Sequence, residues 1–104
     1  MGRISADTRV FSRDSVDVPT RMRRTPLIGY PPAWVPEGSH RVVLRYHVLA
    51  TGVVDSASIQ VMSSTDARFI NLAVRTAARS RFWPACKDGE AVAMLVQQAY
   101  RYGR

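Results

Sequence analysis

From Val42 the chain alternates with a period of two: Val42, Leu44, Tyr46 and Val48 fall on one side, Val43, Arg45, His47 and Leu49 on the other. This pattern predicts a strand with one face buried and the other partly wet. Thr51-Gly52 predicts a tight reversal, because glycine tolerates the positive φ that short hairpins need. A return strand is expected from Val53 to about Met62, with Ala57, Ile59 and Val61 on one face and Ser56, Ser58 and Gln60 on the other. Its phase slips between Val54 and Ala57, so a bulge is expected near Asp55 or Ser56. The spacing then changes to three and four. Phe69, Ile70, Ala73, Val74, Ala77 and Ala78 form one face of a helix whose wet face carries Arg68, Arg75 and Arg79. Ser63-Ser64-Thr65-Asp66 supplies N-cap side chains, and Pro84 ends the helix. Pro84 and Asp88-Gly89 turn the chain into a last strand, Val92 to Tyr102, on which Val92, Met94, Val96, Gln98, Tyr100 and Tyr102 share a face.

Two strands, a helix and a third strand leave few topologies. A right-handed crossover that skips over the first strand gives the order 2-1-3 with antiparallel neighbours. The strand Val42–Leu49 is then central, and the last strand is an edge whose outer N–H and C=O groups are free. Ahead of these elements, residues 1–29 show neither periodicity and are expected to form an extended basic arm preceding a domain of residues 30–104. Asp14 to Pro19 alternates before a proline and could add one short strand. Arg21, Arg23 and Arg24 are either a solvated patch or a docking site for acidic groups.

Composition narrows the function classes. At 104 residues and 46% apolar content the chain has room for one core. Its formal charge is +7, supplied almost wholly by arginine, with Lys87 the one lysine. Such a surface suits acidic partners, although arginine richness also follows from codon bias. Cys86 is the one cysteine, so an intrachain disulfide is excluded, and a packed or partly exposed free thiol is expected. No apolar run approaches 18 residues, and the first twenty residues lack the apolar segment of a secretory signal. The eight acidic residues are scattered, and His40 and His47 stand on opposite faces of one strand, against a shared metal and each expected at the surface. There is no Gly-rich phosphate loop, Gly-x-Ser-x-Gly elbow or Cys-x-x-Cys pair. No catalytic residue, cofactor or metal is therefore expected, and the chain reads as a binding module.

The succession Tyr30-Pro31-Pro32, the Gly52 hairpin, Val61-Met62-Ser63-Ser64, a helix, Arg81-Phe82-Trp83-Pro84-Ala85 and Asp88-Gly89-Glu90-Ala91-Val92 resembles the C-terminal domain of TonB-type energy-transducing proteins over about Val16 to Tyr102. The fold class implied is α+β: a three-stranded antiparallel sheet, order 2-1-3, with a short N-terminal helix and one main helix packed on one face. Tyr30 to Val35 is similar to that short helix, with Pro32 suited to its first position and Pro36 stopping it. The pattern also implies that Phe82 packs between helix and sheet, near Leu44, Tyr46, Ile59 and Val96, leaving Trp83 exposed or covered by the arm. Four departures stand out: His40 where a second glycine is frequent, Ser80 where Trp is common, Gln98 at an inward position, and Ala99 where many members have proline. Ala99 keeps an edge N–H that proline would remove.

The resemblance implies a periplasmic, non-enzymatic protein-binding module. Its partner would be an extended peptide, the TonB box of an outer-membrane transporter, added as a strand along Met94, Leu95, Val96, Gln97, Gln98, Ala99, Tyr100 and Arg101. A homodimer through the same edge is also open. TonB-type proteins ordinarily carry a membrane anchor and a Pro-rich spacer, which this sequence does not show, so an excised domain or a stand-alone relative is expected. The alternative is a structural accessory subunit of an envelope or membrane protein complex, docked through the arm at Arg21, Arg23 and Arg24, with the arm ordered only by its neighbours. Nucleic acid ranks last, since the sheet face bearing Arg45 and His47 lacks exposed aromatic pairs.

Overall fold

The computed structural model describes residues 3–26 and 39–103. Its frame is the antiparallel pair β3 (Ser39–Val48) and β7 (Glu90–Gly103), in unbroken register from Ser39 opposite Gly103 to Val48 opposite Met94. Val42, Leu44, Tyr46 and Val48 of β3 are buried, whereas Arg41 is exposed and Val43, Arg45 and His47 are half-buried. The period of two thus gives the sheet one dry face. On that face lies α1 (Ile70–Arg79), and Phe69, Leu72, Ala73, Ala77 and Phe82 join the β3 side chains in the core.

The sheet departs from the expected three antiparallel strands: it has five and is mixed. Its order is β1-β7-β3-β4, with β1 at Val10–Phe11 and β4 at Gln60–Ser64, and β6 (Ala85–Lys87) also pairs with β7. β1 runs parallel to β7. A separate antiparallel ribbon joins β2 (Arg21–Arg24) to β5 (Arg81–Trp83). Strands of two to four residues are too short to show a period.

Three further expectations change. The return strand is interrupted by a 3-10 turn at Ser56–Ser58, where Asp55 accepts the Ala57 N–H. There the Ser58 hydroxyl, not a strand carbonyl, accepts the His47 N–H at 2.8 Å. The register shift lies farther on, where Val43 pairs with Ser63 but Leu44 with Val61, and Val61 is exposed rather than inward. The helix is rotated from the expected face: Leu72 and Thr76 are buried, while Ile70, Val74 and Ala78 are only half-buried. Thr76 can be buried because its hydroxyl donates to the Leu72 carbonyl, and Ser80 likewise donates to that of Thr76. His40 is not a surface group but stacks on Phe69, 5.3 Å between centroids, and Phe69 stacks in turn near Tyr102 at 4.9 Å. The short helix expected at Tyr30 to Val35 lies outside the described residues.

Phe82 is 6% exposed and its ring stands 6.1 Å from that of Tyr46, whereas Trp83 is 45% exposed. The backbone fixes this polarity. Phe82 N–H donates to the Gly52 carbonyl at 2.9 Å. Gly52 has φ +86°, and a side chain there would collide with the Phe82 carbonyl oxygen. The hairpin glycine and the post-helix phenylalanine therefore determine one another.

Phe82→Ala should cost about 3 to 5 kcal/mol, comparable to the whole stability of a small domain. Trp83→Ala should cost at most about 1 kcal/mol, the worth of an exposed cation–π contact. Thermal melts showing the reverse order would contradict the assignment. A second expectation concerns pH. Burial raises the Tyr100 phenol far above its ordinary 10.0, and the Tyr46 hydroxyl 2.9 Å away adds to the rise. Burial also raises Tyr46 and Tyr102. The unfolded chain then ionises first, so stability should hold below pH ~10 and fall above it. Tyr100→Phe should shallow that alkaline slope, and denaturant midpoints unchanged from pH 9 to 11 would refute the linkage.

Candidate functional site

Among the described residues, one side of β7 is paired along nearly its whole length, and the other is not. β3 covers Met94 to Gly103, and β6 covers Glu90 to Val92 through the turn Asp88-Gly89. Both turn residues have positive φ, 52° and 80°, as a two-residue hairpin requires. The outer side begins under the arm. The Ala91 N–H donates to the Arg3 carbonyl at 2.7 Å, and the Ala91 carbonyl accepts from the Ser5 N–H at 2.9 Å. Val10 and Phe11 then pair with Ala93 and Met94. Past Phe11 the chain turns through a 3-10 segment at Arg13–Ser15 and leaves the edge.

The arm is held there by specific contacts. Lys87 Nζ donates to the Ser15 carbonyl at 3.1 Å, the Asp88 N–H donates to Asp17 Oδ2 at 2.8 Å, and Val18 bridges Cys86. Arg9 and Lys87 stand over the Phe11 ring at 5.2 and 5.7 Å. Phe11 and Val16 pack on Ala85, Val92 and Met94, a small second core. The expectation of an arm ordered only by neighbouring subunits is thereby corrected: residues 3–24 pair with the chain's own β7, β6 and β5. The strand expected at Asp14 to Pro19 is instead the 3-10 turn and one isolated bridge.

From Leu95 to Gly103 no described strand pairs with the outer side of β7. Since Ala91 directs both backbone groups outward and side chains and backbone groups alternate, Leu95, Gln97, Ala99 and Arg101 direct theirs outward too. One of these groups is already engaged: Gln98 Nε2 donates to the Ala99 carbonyl at 3.2 Å. The polar residue at an inward position thus folds over the edge. Beside Leu95 to Gln98, where β1 departs, a groove of about 420 Å3 opens. Its apolar lining comes from Met22, Phe82, Met94 and Val96, and Arg13 and Arg45 add positive charge. Arg45 Nη2 donates to Gln97 Oε1 at 3.2 Å, while its buried Nε has no partner among the described residues.

Of the strand residues singled out from the sequence, Met94 is buried and paired with Phe11, so it is not part of the open edge. Leu95, Val96, Ala99 and Tyr100 are half-buried, and Gln97, Gln98 and Arg101 are exposed. Val96 and Tyr100 pack against the core, so they belong to the site through their backbone or flanks. Arg21, Arg23 and Arg24 are exposed on β2 rather than on β7, and Arg23 lies over the Trp83 ring at 4.4 Å. The arm segments and Met22 were missed. The one signal for the first was Val10-Phe11, an apolar pair in a polar stretch. Among the described residues no three metal-binding side chains cluster, and no helix is long and apolar enough to cross a membrane.

The other sheet edge, β4, is a poorer platform because its five residues are broken by the shift near Met62. The profile of the family described as Gram-negative bacterial TonB protein C-terminal matches residues 30–103. No curated protein matches the chain.

Phe11→Ala should loosen the arm by about 1 to 2 kcal/mol, a partial cavity plus two lost cation–π contacts. Limited trypsin cleavage after Arg9 and Arg13 should then speed up about tenfold or more while the main melting transition stays put. Cleavage at the wild-type rate would show that Phe11 does not hold the arm.

Proposed function

The chain belongs to the Gram-negative bacterial TonB protein C-terminal family, and from that premise we propose that it binds an extended peptide by strand addition to the outer side of β7 from Leu95 to Arg101. The family consists of non-enzymatic protein-interaction domains of the cell envelope. The observation that carries the finer proposal is a row of outward N–H and C=O groups that β1 abandons after Met94, beside a groove able to take a side chain. Backbone pairing would supply affinity, and the groove would supply selectivity. The segment of an outer-membrane transporter that TonB-type proteins engage, the TonB box, is the partner class proposed. Arg13 and Arg45 suit an acidic residue beside the inserted side chain.

Copying the arm's example, the peptide would lengthen an edge that one intramolecular strand already extends. It would first displace the Gln98 amide from the Ala99 carbonyl. An accessory-subunit role draws less support, because the arm that was to be ordered by neighbours is seated on its own domain.

Titrating the labelled protein with transporter-derived peptides should shift the amides of Leu95, Gln97, Ala99 and Arg101. Gln97→Pro or Ala99→Pro should weaken binding about tenfold or more, since each removes an outward donor and interrupts the ladder. Gln98→Ala should strengthen it by a smaller factor. Shifts confined to β4, or none at all, would reject the β7 edge.

A further inference from the structure

The β2–β5 ribbon gathers arginines that no part of the peptide site uses. Arg24 and Arg81 are register partners across it, and Arg23 stands at the register shift beside them. These three, with Thr51, Gly52 and Phe82, line a cavity of about 240 Å3. No carboxylate lines it, and the ion pairs among the described residues are Arg9 with Asp7 and Arg68 with Asp66. Like charges placed directly opposite in an antiparallel pair are destabilising. Here the repulsion is left without a neutralising partner.

Two of the three guanidinium groups are braced. That of Arg23 lies on the Trp83 ring, 4.4 Å from its centroid. Arg81 Nη1 donates to the Ser80 carbonyl at 3.1 Å and to the Arg79 carbonyl at 3.4 Å. A guanidinium has five N–H donors, so Nη2 and Nε of Arg81 keep theirs for a ligand. The wall formed by Gly52 carries no side chain, and its φ of +86° keeps it so.

We propose that this cavity is a phosphate-binding site, in which Arg24 and Arg81 hold the oxygens and Arg23 supplies the third positive charge. Planar guanidinium groups match the geometry of phosphate oxygens, and a doubly charged group offsets three neighbouring cations better than one carboxylate does. The volume admits one or two phosphoryl groups. Their source is either a free phosphate compound or the headgroup of an anionic lipid, and the two share this chemistry.

The test uses the full chain with inorganic pyrophosphate, by calorimetry at low salt, and in parallel with vesicles of phosphatidylglycerol or phosphatidylcholine. Wild type should bind pyrophosphate saturably. The double variant Arg24→Gln, Arg81→Gln should bind at least tenfold more weakly. A control carries equal charge loss: Arg41→Gln with Arg75→Gln, exposed on β3 and α1. It should bind as wild type does. Without ligand, the first double variant should melt no lower than wild type, because a repulsion has been removed, which also shows that it folds. Phosphatidylglycerol binding that pyrophosphate displaces would identify a lipid headgroup as the source, and absent vesicle binding would identify a free phosphate. No saturable pyrophosphate binding by wild type, or equal loss in both double variants, would overturn the site in favour of diffuse attraction to a basic surface.

Discussion

A β-strand in the middle of a sheet has both rows of backbone groups paired, and one at the edge leaves a row to water. β7 is the element on which this constraint acts most strongly. Fourteen residues long, it is covered among the described residues on its inner side by β3 and β6 and on its outer side as far as Met94. The arm covers the part that borders the second core of Ala85, Val92 and Met94, where pairing also hides apolar surface. It departs past Met94, where Leu95 and Val96 are half-buried and Gln97 and Gln98 are exposed. The half-open edge begins where β1 leaves β7.

The core makes that edge rigid. Phe82 ties the end of the helix to the hairpin through the Gly52 carbonyl and sets its ring against Tyr46. Tyr46 in turn meets Tyr100 by hydroxyl contact, so the inward face of β7 is hydrogen-bonded to the centre of the sheet. A peptide pairing with the outer side therefore meets a strand already fixed on its inner side, and the ordering cost falls on the peptide alone.

What the sequence made legible follows element length. The ten residues of β3, the helix and the long last strand carry periods strong enough to read, and Asp88-Gly89 names its own turn. The helix face departs from the hydrophobic pattern because Thr76 is polar by composition, yet its hydroxyl is spent on the Leu72 carbonyl. The return strand is shorter than its pattern because Ser58 replaces a ladder bond with a side-chain one. β1, β2, β5 and β6 are two to four residues long, and the partners of all but β6 come from distant parts of the chain. No local pattern announces such pairing. The site was legible in part: an edge from Val92 onward could be read, but the arm's hold on Ala91 to Met94 and the groove it leaves could not.

Hydrogen exchange along β7 in the free protein addresses the edge most directly. The account predicts that the Ala91 and Ala93 amides, turned toward the arm, are protected. The Leu95, Gln97, Ala99 and Arg101 amides should exchange rapidly, interleaved with protected Val96, Gln98 and Tyr100. On adding a transporter-derived peptide, those rapid amides should become protected together. Uniform protection from Ala91 to Arg101 before any peptide is added would mean that the outer edge is already filled, and would contradict an open strand-addition site.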